Sequence, residues 1–211
     1  MTPLQTYYDN LAATMIKKME KRGFDAYYCP DSKSAVEKAL ALMPKGSSVS
    51  WGGSMTLEET GLQDALTCTD YRLIDRDKAA NPAEKKALQR QAFYADFYLM
   101  SANAITKDGI LVNIDGNGNR VAALAWGPEH VLILAGMNKV EPNLEAAIAR
   151  VRHTAAPANA LRLNLHTPCS QTGVCADCLG PDCICSQTVI TRFNRNKGRI
   201  KVLLIGENLG Y

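Results

Sequence analysis

Apolar side chains recur at steps of three and four from the start of the chain, at Leu4, Tyr8, Leu11, Met15 and Met19, which predicts an amphipathic helix over residues 4–20. Gly23 ends it. The aromatic-rich run 24–29, stopped by Pro30, predicts a first strand with Cys29 in the core. Ser34 and Glu37 have capping-box spacing for a helix to Met43, closed by Pro44-Lys45-Gly46, and a second strand is expected at 47–51. That strand runs into Gly52-Gly53-Ser54, after which Thr56 and Glu59 again have capping-box spacing and predict a new helix. Residues 71–75 suit a third strand. Asn81-Pro82-Ala83-Glu84 joins a cap residue, a first-turn proline and an acidic third position, and predicts a helix to about Ala92.

From Ala95 the period shortens. Residues 97–100 form a wholly apolar run suited to a buried strand, followed by small and polar residues over 101–106 at its end. Asp108-Gly109 turns the chain into a strand at 110–114. Asp115-Gly116-Asn117-Gly118-Asn119 reads as a hairpin loop, with 121–126 as the returning strand and 130–135 as a further one, so that a β meander is expected here. Asn143 opens a helix that places Leu144, Ala147, Ile148 and Val151 inward and that Pro157 is expected to stop. A last strand is predicted at 202–205. Helices and strands thus alternate along the chain, which points to an α/β fold.

Composition narrows the class. With 211 residues and 46% hydrophobic content, the chain is long enough for one large domain over 1–211 that carries an appendage. The net charge of +3 is mild, and the one basic cluster, at 192–201, holds a single aromatic residue and reads as a solvated turn, so no nucleic acid is expected. No run approaches the roughly eighteen apolar residues of a membrane span, and a cytoplasmic protein with no membrane association is expected.

Cysteine is where the chain departs from an ordinary α/β sequence. Five of its seven cysteines lie in one Gly- and Pro-punctuated loop at 166–187, at Cys169, Cys175, Cys178, Cys183 and Cys185. Cys175 and Cys178 form a C-x2-C pair, whose tight turn brings two sulfurs onto one centre, and Cys169 and the last two can fold back to close a four-thiolate site. A C-x-C pair does not readily supply two corners of one tetrahedron, so either Cys183 or Cys185 is expected as the fourth ligand. Thiolate ligation suits zinc or an iron-sulfur cluster and not magnesium or calcium. Disulfides and free thiols compete with this reading, but the opening MTPLQTYYDNLAATMIKKME lacks the apolar core of a secretory signal, which weighs against disulfides. His166, three residues before Cys169, is an alternative ligand; His130 and His153 read as structural.

A second chemical focus is the glycine turn after the strand at 47–51. Such a turn presents backbone N–H groups to an anion, though glycines also occur there merely to let the chain bend. Arg120 is not needed by its turn, and its planar fork suits a carboxylate or phosphate. Lys139, at the end of the 130–135 strand, would be a second cation facing the same anion.

Taken together, SWGGSMTLEETGL, SANAITKDGILVNIDGNGNRVAALAWGPEHVLILAGMNKV, AAIARVR and the cysteine loop resemble the LUD-domain (lactate utilisation) family over residues 7–209. The resemblance implies a mixed, largely parallel sheet flanked by helices, related to the ribose-5-phosphate isomerase and CoA-transferase group. It also implies one pocket formed by Gly52, Gly53, Ser54, Ala102, Asn103, Asp108, Asn119, Arg120, Asn138 and Lys139. A branch of the family with a C-x5-C-x2-C-x6-C loop selects Cys169, Cys175, Cys178 and Cys185 as metal ligands and leaves Cys183 spare. Two functions follow as expectations. One is an enzyme or redox subunit for a small hydroxy or keto acid, in which Arg120 and Lys139 hold the carboxylate, Asp108 is the general base and a [4Fe-4S] cluster polarises substrate or passes electrons to a redox partner protein. The other is a non-catalytic binding or assembly module with structural zinc. Association into a homo-oligomer is compatible with either.

Overall fold

The computed structural model describes residues 2–211. The chain runs through α1 (Pro3–Lys21), β1 (Asp25–Cys29), α2 (Ser32–Leu42), β2 (Ser48–Trp51), α3 (Met55–Glu59), α4 (Leu62–Thr67), β3 (Arg72–Ile74) and α5 (Pro82–Gln91). It continues through β4 (Phe97–Met100), β5 (Ala104–Thr106), β6 (Leu111–Asp115), α6 (Asn119–Ala125), β7 (His130–Gly136) and β8 (Val140–Glu141). The last elements are α7 (Leu144–Arg150), α8 (Ala156–Arg162), α9 (Pro168–Thr172), β9 (Gln187–Thr191) and β10 (Ile200–Ile205).

Six strands in the order β1-β10-β7-β4-β2-β3, every neighbouring pair parallel, make the main sheet. Its middle strands are apolar on both faces because both faces are covered by helices. Tyr98, Met100, Val131, Ile133, Val202 and Leu204 point toward α1 and α6, meeting Met15, Met19 and Leu124. Their neighbours Leu99, Leu132, Leu134 and Leu203 point the other way, onto Ala35 and Ala39 of α2, Leu57 of α3 and Leu62 and Leu66 of α4. Each fully buried leucine of this kind contributes about 1.5–3 kcal/mol relative to exposure.

A second, four-stranded sheet, β8-β5-β6-β9, packs on α7 and α8 through Ala104, Val112, Ile114, Ala147, Val151 and Ala156. Here the structure corrects the β meander. Only β5 and β6 form the antiparallel hairpin, whereas β4 and β7 lie side by side in the parallel sheet. Residues 121–126 are not a strand: α6 covers this stretch, and Val121, Ala123 and Leu124 are its buried side. Asp115 explains the difference, since its carboxylate accepts the N–H groups of Asn117, Gly118 and Val121 and bends the chain into a helix start, with Gly118 at φ +75°.

Three smaller corrections concern caps and stops. Pro157 does not end its helix; a π turn over Val151–Ala155 joins α7 to α8, and Pro157 sits in the first turn of α8. α3 is capped by Ser54, not Thr56, whose hydroxyl is buried and donates to the Leu209 carbonyl. α2 is capped by Asp31, with Ser34 reciprocating. The first apolar position of α1, Leu4, is 55% exposed and lies outside the core. No helix among the described residues is long and apolar enough to cross a membrane.

Candidate functional site

All strands of a parallel sheet end on the same side, and the loops leaving those ends converge there. Five of them build one cavity of about 300 Å³: Gly53 and Ser54 follow β2, Arg76 follows β3, Ser101 to Asn103 follow β4, Lys139 follows β7 and Tyr211 follows β10. The end of β6 adds Asp115, and α8 adds Arg162.

Arg120 is its most constrained member. Its Nη1 donates to the Asn113 amide oxygen at 2.7 Å and the Ser101 carbonyl at 3.2 Å, and its Nη2 donates to the Asn103 amide oxygen at 2.9 Å and the Ile114 carbonyl at 2.6 Å. Its Nε faces Asp115 at 3.5 Å. Every N–H of the fork is therefore engaged by the protein, and the guanidinium fixes the loop ends after β4 and β6 while its charge remains at the cavity. Gly52 lies behind it: a Cβ there would come within 3.1 Å of both the Arg120 side chain and the Tyr98 hydroxyl.

The cations with less protein engagement are ones that periodicity and motif did not single out. Arg76 and Arg162 both reach over the Gly53 backbone, where a Cβ would lie 2.8 Å from one Nη2 and 3.7 Å from the other, so the glycine leaves room for two guanidinium groups. Arg162 donates to the Asn159 amide oxygen and its charge acts on the Tyr211 hydroxyl, and the nearest carboxylate to Arg76 is Asp77 at 3.8 Å. Three buried polar groups have no hydrogen-bond partner among the described residues: Arg76 Nε, Asn113 Nδ2 and the Tyr211 hydroxyl. Arg76 and Tyr211 line the cavity, and Asn113 is bonded to the Arg120 fork. Orphaned groups of this sort are rare in folded proteins and mark places where a ligand or water completes the bonding.

Lys139 is only 2% exposed, and its Nζ donates to the Thr56 hydroxyl at 2.7 Å and the Ser101 hydroxyl at 3.0 Å. Burial, reinforced by the Arg150 charge, pulls its pKa down to about 7. Glu59 works against that shift and Arg120 with it.

Of the residues singled out from sequence, Gly53, Ser54, Ala102, Asn103, Asn119, Arg120 and Lys139 border the cavity, and Gly52 backs it. Asn138 stands to one side, tying down the C-terminal segment through the Gly210 carbonyl and the Leu209 N–H. Asp108 is apart from the cavity, in the turn between β5 and β6. The Thr106 hydroxyl and then Arg22 hold its carboxyl below the usual range, and its oxygens are committed to both. The carboxylate that does border the cavity is Asp115.

The cysteine loop forms one wall of the same cavity. Ile184, between Cys183 and Cys185, lines it and packs on Gly116, where a Cβ would approach the Ile184 backbone to 3.2 Å. The loop starts from α9, whose Thr167 cap also lies 3.2 Å from the Cys169 sulfur, and Asp177 takes φ +51° to turn the chain within the C-x2-C pair. Burial first, and then the neighbouring Cys183 and Cys169 thiols, disfavour charge on Cys178 and Cys185. Burial, then the neighbouring thiols, push Cys185 up to about 12. Arg152 sits over the loop, 3.7 Å from the Cys175 sulfur and paired with Asp177. The thiols are gathered without converging on a common centre: among the described residues, no three His, Cys, Asp or Glu side chains stand as a metal-binding group. Their chemistry nonetheless fits a thiophilic metal or cluster, with no oxygen ligand in the set.

Comparison with known proteins gives the fold and the family. A DUF162 family protein from Deinococcus radiodurans superposes with a TM-score of 0.53 at 9% identity, covering 94% of this chain and 98% of that one, a likeness of fold. An eIF2B delta structure from Chaetomium thermophilum aligns at a TM-score of 0.32 and 17% identity, over 64% of this chain and 53% of that one, too loosely to bear on the fold. No curated protein matches the sequence. The LUD domain family model matches residues 12–205, which spans both sheets, the cysteine loop and all of the cavity lining except Tyr211, and the chain therefore belongs to the LUD domain family.

Proposed function

We propose that the cavity binds a small hydroxy or keto acid, or a related phosphate-bearing anion, as in a lactate-utilisation-type protein, and that the cysteine loop beside it carries a metal centre. The observation that carries this reading is the imbalance of charge: Arg76, Lys85, Arg120 and Arg162 border the cavity against the single carboxylate of Asp115. Like charges held together at that density repel unless an anion joins them. Arg76 and Arg162 are positioned to grip the anion over Gly53, Arg120 holds the loop ends in place, and Lys139 faces the other end of the ligand. Asp108 has no part in this scheme.

In the loop, Cys169, Cys175, Cys178 and Cys185 would hold a [4Fe-4S] cluster, with Cys183 as the unligated neighbour. Bound there, the cluster would supply one-electron transfer to a redox partner or Lewis acidity toward the ligand. Arg152 is placed to donate to the Cys175 sulfur.

Calorimetry with pyruvate, lactate and inorganic phosphate tests the anion site. Arg76→Gln or Arg162→Gln is expected to weaken binding about ten-fold, the loss of about 1.4 kcal/mol from one charge-assisted hydrogen bond. Equal affinity in both variants, or no binding of any of the three, would refute it. Iron, sulfide and zinc analysis of protein purified without oxygen tests the loop. Matched iron and sulfide support the cluster, and a colourless protein with one zinc per chain would replace it with the structural-zinc reading.

A further inference from the structure

Lys139 has a feature that a plain anion-binding cation would not need. Its two protein acceptors, the Thr56 and Ser101 hydroxyls, direct their own protons to the Leu209 carbonyl at 3.2 Å and the Ala102 carbonyl at 3.3 Å. Each hydroxyl therefore accepts one hydrogen from Nζ and has none to give back. A neutral amine has two hydrogens and one lone pair, so the two hydroxyls use its hydrogens and leave the lone pair free. An ammonium in the same place would have a third N–H with no acceptor among its hydrogen-bonded neighbours, and no ion pair with a carboxylate compensates for it among the described residues. The groups around it act in the same direction, since Arg150 and Arg120 repel a charge on Nζ and only the exposed Glu59 favours one.

We propose that Lys139 is an amine nucleophile, which condenses through Nζ with the carbonyl carbon of a small 2-oxo or aldehydic acid held in the cavity. This rests on the reading of the cavity as an acid-binding site and adds a covalent step to it. The lone pair forms the new C–N bond, both amine hydrogens leave with the carbonyl oxygen as water, and the product is an imine to Lys139. No oxidant or reductant takes part. The hydroxyls of Thr56 and Ser101 orient the attacking pair, and the cations over Gly53 hold the acid's carboxylate away from the amine.

Glyoxylate with cyanoborohydride tests the proposal on the intact chain. Cyanoborohydride reduces any imine to a stable carboxymethyl-lysine, and peptide mass spectrometry locates it. With its pKa near 7, Lys139 is about half neutral at neutral pH, where an ordinary lysine is neutral in about one molecule per several thousand. Lys139 is therefore expected to be labelled at least about ten-fold faster than the exposed Lys45 and Lys197, at a rate that saturates with glyoxylate. Labelling of Lys139 no faster than those two would overturn the amine role. If phosphate still binds in calorimetry after that result, the anion site stands without it. Fast labelling that inorganic phosphate does not slow keeps the amine role and removes the anion site.

Discussion

Arg120 is the residue whose meaning changed most between sequence and structure. Its place after a Gly- and Asn-rich loop made it legible as special, but not what its fork would hold, because Asn103, Asn113 and the Ser101 carbonyl come from loop ends that only the folded sheet brings together. Buried with its hydrogens spent, it behaves as a keystone. Arg120→Ala should strip Asp115 of its ion pair, remove the fork's bonds to two asparagine oxygens, and cost about 3–5 kcal/mol in urea unfolding. Arg162→Gln, on an exposed side chain, should change stability by no more than about 0.5 kcal/mol while weakening anion binding. Arg76 and Arg162 had no signal of their own: one follows a short strand and the other closes a helix, so each looks like any solvated charge until the fold places both over Gly53.

Among the elements, strands buried on both faces were the most legible, since β4, β7 and β10 are nearly unbroken apolar runs. Two kinds of element hid. α6 spans Asn119–Ala125 behind a loop that mimics a hairpin, and its alanines fit helix or strand alike. β9, at the rim of the second sheet, is largely exposed and has no apolar alternation to read. This contrast has a measurable consequence. Leu203 is fully buried in β10, which sits between β1 and β7 although it comes last in the chain, so Leu203→Ala should cost about 3–4 kcal/mol. Ile190→Ala, on the rim strand and 42% exposed, should cost less than about 1 kcal/mol in the same denaturation assay.

For the molecule as a whole, burying an amine, with Arg150 and Arg120 beside it, links stability to pH. Lys139 has its folded pKa near 7, below the value of 10.5 it recovers on unfolding. Between those values the unfolded chain binds more protons than the folded one, so stability rises with pH through this window and the contribution is lost as pH falls through about 7. Denaturation between neutral pH and pH 8.5 should show a slope of up to about 1.4 kcal/mol per pH unit. Lys139→Met should abolish that slope, and comparing the two proteins subtracts the opposing titration of Cys185, which burial holds protonated. A slope unchanged in the variant would assign it to other groups.

Ile184 belongs at once to the wall of the cavity and to the peptide between Cys183 and Cys185. An occupant of the cavity and an occupant of the thiol loop therefore share one boundary, and any shift of that wall on loading one changes the free energy of loading the other. Thermodynamic reciprocity makes the effect equal in both directions. An anion that steadies Ile184 must tighten metal binding by the same factor by which the bound metal tightens the anion. A side chain with no chemistry of its own would then set how strongly anion binding and metal binding report on each other.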